Sequence, residues 1–347
     1  MKLKKILSIF LLFAVLLSVL TSCGYSQGKQ KSEETMNYSL ITDTSGKNDF
    51  SSNQACWEAL TKLKEVHPEI ELEYIEPTQE VEFLTGIDIL ADNKSDVIVA
   101  GSALLTGAVA KAAAQNPDIK YLLAGSTLDE IPQNLTTVTF RSHEAAFLTG
   151  YIAGRTTTTN KVGFIGGMDN VGSYQLESGY EAGVAYAARE LGKNIEVMIQ
   201  YAESYSDMSK GRSVASKMYL YGCDIIFQNA SAAGTGVIEE AKARGKYVIG
   251  SITDQSVIAP DNILTSAVVN TDKAVLDLCE KMYNNEDVGA KNFDYGLKLG
   301  FVGIPTENKN VDTEVYNSAM ELKASIENGT VVPPSSRSEL KEFKANL

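Results

Sequence analysis

From Met36 onward, short apolar runs alternate with stretches of helical spacing. Asn37–Ile41, Asp96–Ala100 and Lys120–Ala124 read as strands, and the last two are nearly continuous in apolar residues, as strands buried on both faces of a parallel sheet are. Gln54–Lys64 carries Ala55, Leu60 and Leu63 at helical spacing, and Leu104–Ala114 is a helix of small residues. The alternation restarts after a seam near residues 140–160. Helices are expected over Ala145–Arg155, Tyr174–Leu191, Ser209–Tyr221 and Gly236–Arg244, and strands over Lys161–Gly166, Glu196–Ile199, Cys223–Phe227 and Lys246–Gly250. Two successive β-α series predict an α/β chain of two lobes, each a parallel sheet flanked by helices. Ligands of such sheets sit beyond the carboxyl ends of the strands. The loops of interest are therefore 43–53, 100–104, 125–128, 166–174, 202–207, 228–236 and 251–255.

The one long apolar run lies at the start. Lys2, Lys4 and Lys5 precede an apolar Ile6–Leu20, which closes in Leu20-Thr21-Ser22-Cys23. Basic, apolar and small-residue parts in that order predict a signal peptide over residues 1–22. The closing four residues resemble a bacterial lipobox, which implies lipidation of Cys23. Residues 23–35 are polar and without periodicity, and are expected to form a lipidated tether. The acyl chains would hold the protein on the extracytoplasmic face of the cell membrane while its body stays in water.

Charge and chemistry narrow the function. Lys and Arg total 31 against 44 Asp and Glu, a formal charge of −13, and loss of the three leader lysines leaves −16. Phosphate binding along a nucleic acid needs clustered cations, so nucleic acid is excluded as a partner. Cys56, Cys223 and Cys279 are odd in number and far apart, which argues against a disulfide framework; Cys56 and Cys223 read as small core residues. His67 and His143 are the only histidines, and no metal-ligand spacing, nucleophile elbow, dinucleotide fingerprint or P-loop occurs. No cofactor or metal is expected, and a binding protein is expected rather than an enzyme. His143 reads as a solvated helix start or a hinge residue, and Trp57 as core.

The polar loop Asp43–Gln54 joins a strand directly to a helix, and Ser51, Ser52 and Asn53 can cap that helix. By chemistry alone it is equally a surface turn. Its residues match, without a gap, the first motif of the basic membrane protein family of solute-binding lipoproteins: Asp43, Gly46, Asp49, Ser51, Asn53, Gln54, Trp57 and Glu58. Further motifs follow in order: Pro117–Tyr121, Phe147–Gly150, Lys161–Gly167, Gly179–Gly183, Asp254-Gln255 and Leu264–Ser266. The chain thus resembles that family over essentially its whole mature length.

The resemblance implies a two-lobed, ribose-binding-like (type I) periplasmic-binding-protein fold that feeds an ABC importer, with purine nucleosides as the ligands of characterised members. In those, aromatic rings sandwich the base, and carboxylates and a lysine hold the base edge and ribose. Tyr205 falls where the second aromatic does. Ser52, Gly125, Ile252 and Val269 stand where the family has a Phe, two Asp and a Lys, with Asn270 beside the last. The ligand is therefore expected to be a nucleoside or another small sugar-containing molecule.

These readings combine into a clamshell. Lobe 1 is expected over 36–142 with a return near 270–292, and lobe 2 over 143–269 with about 293–335. Asp43, Asp49, Ser52 and Asn53 would serve one wall, and Tyr205, the backbone from Ala232 to Gly234 and Asp254 the other; Gly125 and Asn270 are further expected ligand-binding positions. The partners expected are a small-molecule ligand, an ABC permease and, through the lipid, the membrane, with the protein itself a monomer. A sensor lipoprotein presenting its closed form to a receptor would use the same cleft, and a nucleosidase is a third class.

Overall fold

The computed structural model describes residues 35–347, so the expected signal peptide, Cys23 and the tether up to residue 34 lie outside the described residues. Strands β1 (Met36–Ile41), β2 (Ile70–Ile75), β3 (Val97–Ala100), β4 (Lys120–Ala124) and β5 (Leu135–Phe140) form a parallel sheet in the order β5-β4-β3-β1-β2. A second parallel sheet holds β6 (Lys161–Gly166), β7 (Glu196–Tyr201), β8 (Ile225–Asn229), β9 (Tyr247–Ile252) and β10 (Ile263–Val269), in the order β10-β9-β8-β6-β7. The chain then sends β11 (Lys291–Tyr295) back to the first sheet beside β5, and β12 (Val302–Gly303) to the second, antiparallel to β10. The two-lobed α/β architecture is thus the one expected.

Alternate residues of each strand enter different cores. In β1, Tyr38 and Leu40 face one side and Ile41 the other; in β3, Val97 and Val99 oppose Ile98 and Ala100. Both sides are covered, hence the unbroken apolar runs. Helices α1 (Ser52–Val66), α2 (Phe83–Asp92) and α3 (Thr106–Gln115) cover the first sheet; α4 (Ser142–Thr156), α5 (Val171–Leu191), α6 (Met208–Leu220) and α7 (Ser231–Arg244) cover the second. Helix α8 (Thr271–Tyr283) packs on α1, α9 (Thr313–Glu327) on α4, and α10 (Arg337–Asn346) on α5. One core continues through both lobes, from Leu60, Val99 and Leu278 to Phe147, Phe164 and Phe227. Each such side chain contributes roughly 1.5–3 kcal/mol by leaving water. Cys56, Cys223 and Cys279 are all buried and free.

The chain crosses between lobes three times: from β5 into α4, from β10 into α8, and from β11 to β12. The crossings are tied together. The Arg141 N–H donates to the Tyr295 carbonyl (2.8 Å) and the Asn270 N–H to the Phe301 carbonyl (2.7 Å), and the Tyr295 and Phe301 rings stack at 4.0 Å. The return segment expected to end near 292 runs to Tyr295, because β11 completes the first sheet. Its pattern is half-exposed, as suits an edge strand, so it lacks the apolar signature of its neighbours. His143 lies one residue into α4 and is buried, not solvated; desolvation pushes its imidazole down to about 4.

Candidate ligand-binding cleft

Strand register brings the carboxyl ends of each sheet to one level. Ile41 pairs with Ala100, Ala100 with Leu123, and Ala124 with Val138; opposite, Gly166 pairs with both Tyr201 and Asn229. The loops that leave these ends enclose a cavity of about 480 Å³ between the lobes. Asp43, Asp49, Ser52, Ser102 and Gly125 line it from the first lobe, and Asn170, Ser173, Tyr205, Asn229, Ser231 and Ile252 from the second. The crossings close its back with Phe140, Ser142, Val269 and Thr271. This is the size of a small-molecule pocket, and its lining brings many polar side chains together with a few apolar ones.

Two carboxylates dominate its chemistry. Asp43 Oδ1 accepts from the Ser45 N–H (2.8 Å) and from Asn53 Nδ2 (2.9 Å). Asp49 Oδ1 accepts from the N–H groups of Ser51 (2.8 Å) and Gln54 (3.1 Å), and its Oδ2 accepts from Asn53 Nδ2 and Ser231 Oγ, both at 3.1 Å. So the N-terminus of α1 is capped by Asp49, and the serines expected to do it make no side-chain cap bond. Burial pushes the Asp49 carboxyl up to about 6, opposed by the Gln54 N–H and reinforced by the nearby Asp43 charge. Asn53 does not line the cavity; fully buried, it is the bridge that sets the two carboxylates side by side. The lining holds two acidic residues and no Lys, Arg or His. An anionic ligand therefore meets repulsion, whereas hydroxyl and amide donors meet acceptors.

On the other wall, Tyr205 is held by its surroundings. A Cβ on Gly167 would stand 2.3 Å from its ring, so the close approach requires glycine. The Tyr205 carbonyl accepts from the Ala233 N–H at 2.9 Å, and Asn170 Nδ2 donates to its hydroxyl at 3.4 Å. Ser231 and Ile252 both have positive φ, at 51° and 68°. For a β-branched residue such as Ile252 this backbone is strained, a condition that clusters at ligand clamps.

Besides Asn53, four expected contributors do not face the cavity. Asp254 is exposed, caps the Ser256 N–H, and lines a separate hollow of about 310 Å³ with Pro305 and Asn308. Gly234 is pressed against Gln228: a Cβ there would lie 1.8 Å from Gln228 Oε1. Ala232, next to it in α7, is not among the lining residues, although Ser231 is. Asn270 pins the crossing, its Nδ2 donating to the Gly300 carbonyl at 2.8 Å. The Phe50 ring, a conceivable substitute for the missing stacking residue, is 39% exposed and outside the cavity. Trp57 packs edge-on against Tyr74, away from the site. Phe140, Ser142 and Gln175 line the cavity without having been singled out, and Ser142 Oγ donates to Gln175 Oε1 at 2.6 Å. For Phe140 and Ser142 the one sequence signal is the seam at 140–160, at a lobe crossing; Gln175 lies in the first turns of α5, within reach of the loop after β6.

The description "ABC transporter substrate-binding protein PnrA-like", that of the Bmp family, matches residues 38–337. The chain belongs to the Bmp family. Basic membrane protein A of Borreliella burgdorferi is 35% identical over 339 residues, covering 96% of this chain and 98% of the relative. Basic membrane protein B of the same organism is 35% identical over 335 residues, covering 94% and 95%. A crystal structure of ABC transporter system solute-binding proteins from Aeropyrum pernix K1 superposes with a TM-score of 0.79 at 21% identity, covering 89% of this chain and 98% of that one. The motif resemblance is therefore borne out, as is the fold. Bmp membership carries a solute-binding role within an ABC transporter, and so a small-molecule ligand, a permease partner and an extracytoplasmic, membrane-associated setting. No helix among the described residues is long and apolar enough to cross a membrane.

Proposed function

We propose that this Bmp-family protein is a lipoprotein, anchored through Cys23, that captures an uncharged, hydroxyl-rich molecule of nucleoside or pentose type and delivers it to an ABC permease. One observation carries the ligand class: the inter-lobe cavity of about 480 Å³ offers two carboxylates, several hydroxyls and a tyrosine, and no cationic side chain. Each hydroxyl donating to an ionised Asp43 or Asp49 contributes about 1.5–3 kcal/mol. A base lying on Tyr205 adds about 1–3 kcal/mol. Asn170, Asn229 and Ser231 supply the further donors and acceptors that a base edge or ribose needs. The acidic lining disfavours the corresponding phosphates, so selection falls on the dephosphorylated form.

The anchor rests on the sequence: a basic start, an apolar stretch and a small-residue approach to Cys23. The protein acts as a monomer, each copy having a cleft complete in itself. The test is calorimetric titration of residues 24–347 with adenosine, guanosine, inosine, uridine and ribose, and with the nucleoside 5′-monophosphates. Heat from at least one neutral compound and none from the monophosphates is expected, and Tyr205→Ala and Asp49→Asn should each weaken that binding at least tenfold. Tight binding of a monophosphate, or silence across all the neutral compounds, would overturn the ligand class.

A further inference from the structure

A chain of buried polar groups leaves the middle of the second sheet and ends on the first lobe. Gln228, fully buried at the end of β8, accepts at Oε1 from the Ala230 N–H (3.1 Å) and donates from Nε2 to Gln255 Oε1 (2.6 Å). The backbone of Gln255 is fixed in turn, its N–H donating to Ser266 Oγ at 3.2 Å. Gln255 Nε2 then donates across the cleft to the Phe50 carbonyl at 3.1 Å, and Thr253 Oγ1 donates to the same carbonyl at 2.8 Å. Phe50 adopts a positive φ of 51°, a conformation that costs a non-glycine residue free energy and needs local support. Its immediate neighbour Asp49 receives the Ser231 hydroxyl from the second lobe.

None of Phe50, Gln228, Thr253 and Gln255 lines the ligand cavity. The two bonds to the Phe50 carbonyl are therefore separate from those that would read the cargo, whereas the Ser231–Asp49 bond lies within the site. We infer that Gln228, Gln255 and Thr253 are positioning residues which form a latch on the Phe50 carbonyl, holding the lobes shut and setting residence time without contributing to ligand choice. The inference rests on the binding reading above and deepens it.

The glutamines suit this task physically. An amide both donates and accepts, so two in series carry a fixed polarity from the Ala230 N–H to a carbonyl on the opposite lobe. Gly234 leaves the room that Gln228 needs to hold its rotamer. When the lobes part, Gln255 Nε2 and the Phe50 carbonyl exchange one another for water, so the latch opens at modest cost.

The first arm of the test needs no ligand. Inter-lobe distances are measured by single-molecule fluorescence in residues 24–347, with dyes on cysteines introduced at the exposed Val81 and Tyr221. Thr253→Val, Thr253→Ser and Gln255→Leu are compared with the parent. Thr253 is part-exposed, so Thr253→Val tests the latch even where Gln255→Leu disturbs folding. Expected are a several-fold shift of the ligand-free population toward open for Thr253→Val and Gln255→Leu, and a parent-like distribution for Thr253→Ser, which keeps the hydroxyl. In the second arm, each neutral compound that binds the parent should bind Thr253→Val and Gln255→Leu about tenfold more weakly by the same factor throughout, with dissociation faster and association unchanged. Distributions identical to the parent in both variants overturn the latch, as does a change in the rank order of ligands. Failure of the parent to bind any neutral compound overturns the ligand reading alone, because the distance measurement stands without it.

Discussion

Replacing Asp49 by asparagine separates the cost of this carboxylate to the fold from its value to the ligand. The side chain is 2% exposed, and burial pushes its pKa from 3.8 to about 6. A carboxyl raised in the native state binds its proton more tightly there than in the unfolded chain. Its contribution to stability is therefore fully present below about pH 4 and is lost as pH rises through 6. A rise of this size corresponds to roughly 3 kcal/mol of native-state stability given up by pH 7.5. The substituted amide carries no charge and so escapes that loss. It still accepts the Ser51 and Gln54 N–H groups through its oxygen, but its nitrogen meets the Asn53 amide where a carboxylate oxygen stood, which costs about 1 kcal/mol. The net expectation for Asp49→Asn is a gain of about 2 kcal/mol at pH 7.5, or several °C in Tm, and a loss of about 1 kcal/mol at pH 4. Ligand affinity should fall ten- to hundredfold at the higher pH. Thermal unfolding at the two pH values, with calorimetric titration at pH 7.5, reads all three quantities. A Tm lowered by the same amount at both pH values would refute the assignment of a buried, proton-binding carboxyl.

Three other outcomes follow from the same geometry. Affinity for a neutral hydroxylated ligand should rise as pH increases from 5 to 7, because a hydroxyl donates best to the ionised Asp49, whose pKa is about 6; isothermal titration across that range checks it, and a flat profile contradicts it. Gly167→Ala should leave the fold intact but displace the Tyr205 ring, since the added Cβ would stand 2.3 Å from it; loss of ligand binding with an unchanged far-ultraviolet circular dichroism spectrum is expected. Arg337→Met should cost about 3 kcal/mol, the low end for breaking a buried pair, because Arg337 Nε and Nη2 bind the 3%-exposed Glu177 at 2.6 and 2.9 Å while Arg337 itself is 44% exposed. Urea denaturation measures that cost, and an unchanged midpoint would show that α10 docks without it.

What could be read from the chain before its structure divides along a physical line. Strands buried on both faces, such as Val97–Ala100, announce themselves through unbroken apolar runs, whereas Leu135–Phe140 hides behind three threonines and Lys291–Tyr295 behind an exposed edge. Asp43, Asp49 and Ser52 were legible because one short loop carries them from a strand end to a helix start. Phe140, Ser142 and Thr271 were not, because they meet only where the chain changes lobes, and no local pattern records that meeting. The miss at Asp254 is a matter of direction. It is two residues past Ile252, and there its neighbour Gln255 is buried and donates to the Phe50 carbonyl, whereas Asp254 is exposed and accepts from the Ser256 N–H. Gly234 was expected to offer its backbone to the ligand, and the space it leaves is filled instead by Gln228.

The central claim is that a small neutral molecule is held between the lobes by Asp43 and Asp49 on one side and Tyr205 on the other. A crystal structure of the protein purified with whatever it carries from its host, with the carried molecule identified by mass spectrometry, addresses that claim most directly. The account predicts density for an uncharged hydroxylated compound in the 480 Å³ cavity, with oxygens or nitrogens in hydrogen-bonding reach of both carboxylates. Density for an anion there, or a molecule seated instead in the hollow beside Asp254 and Asn308, would contradict it.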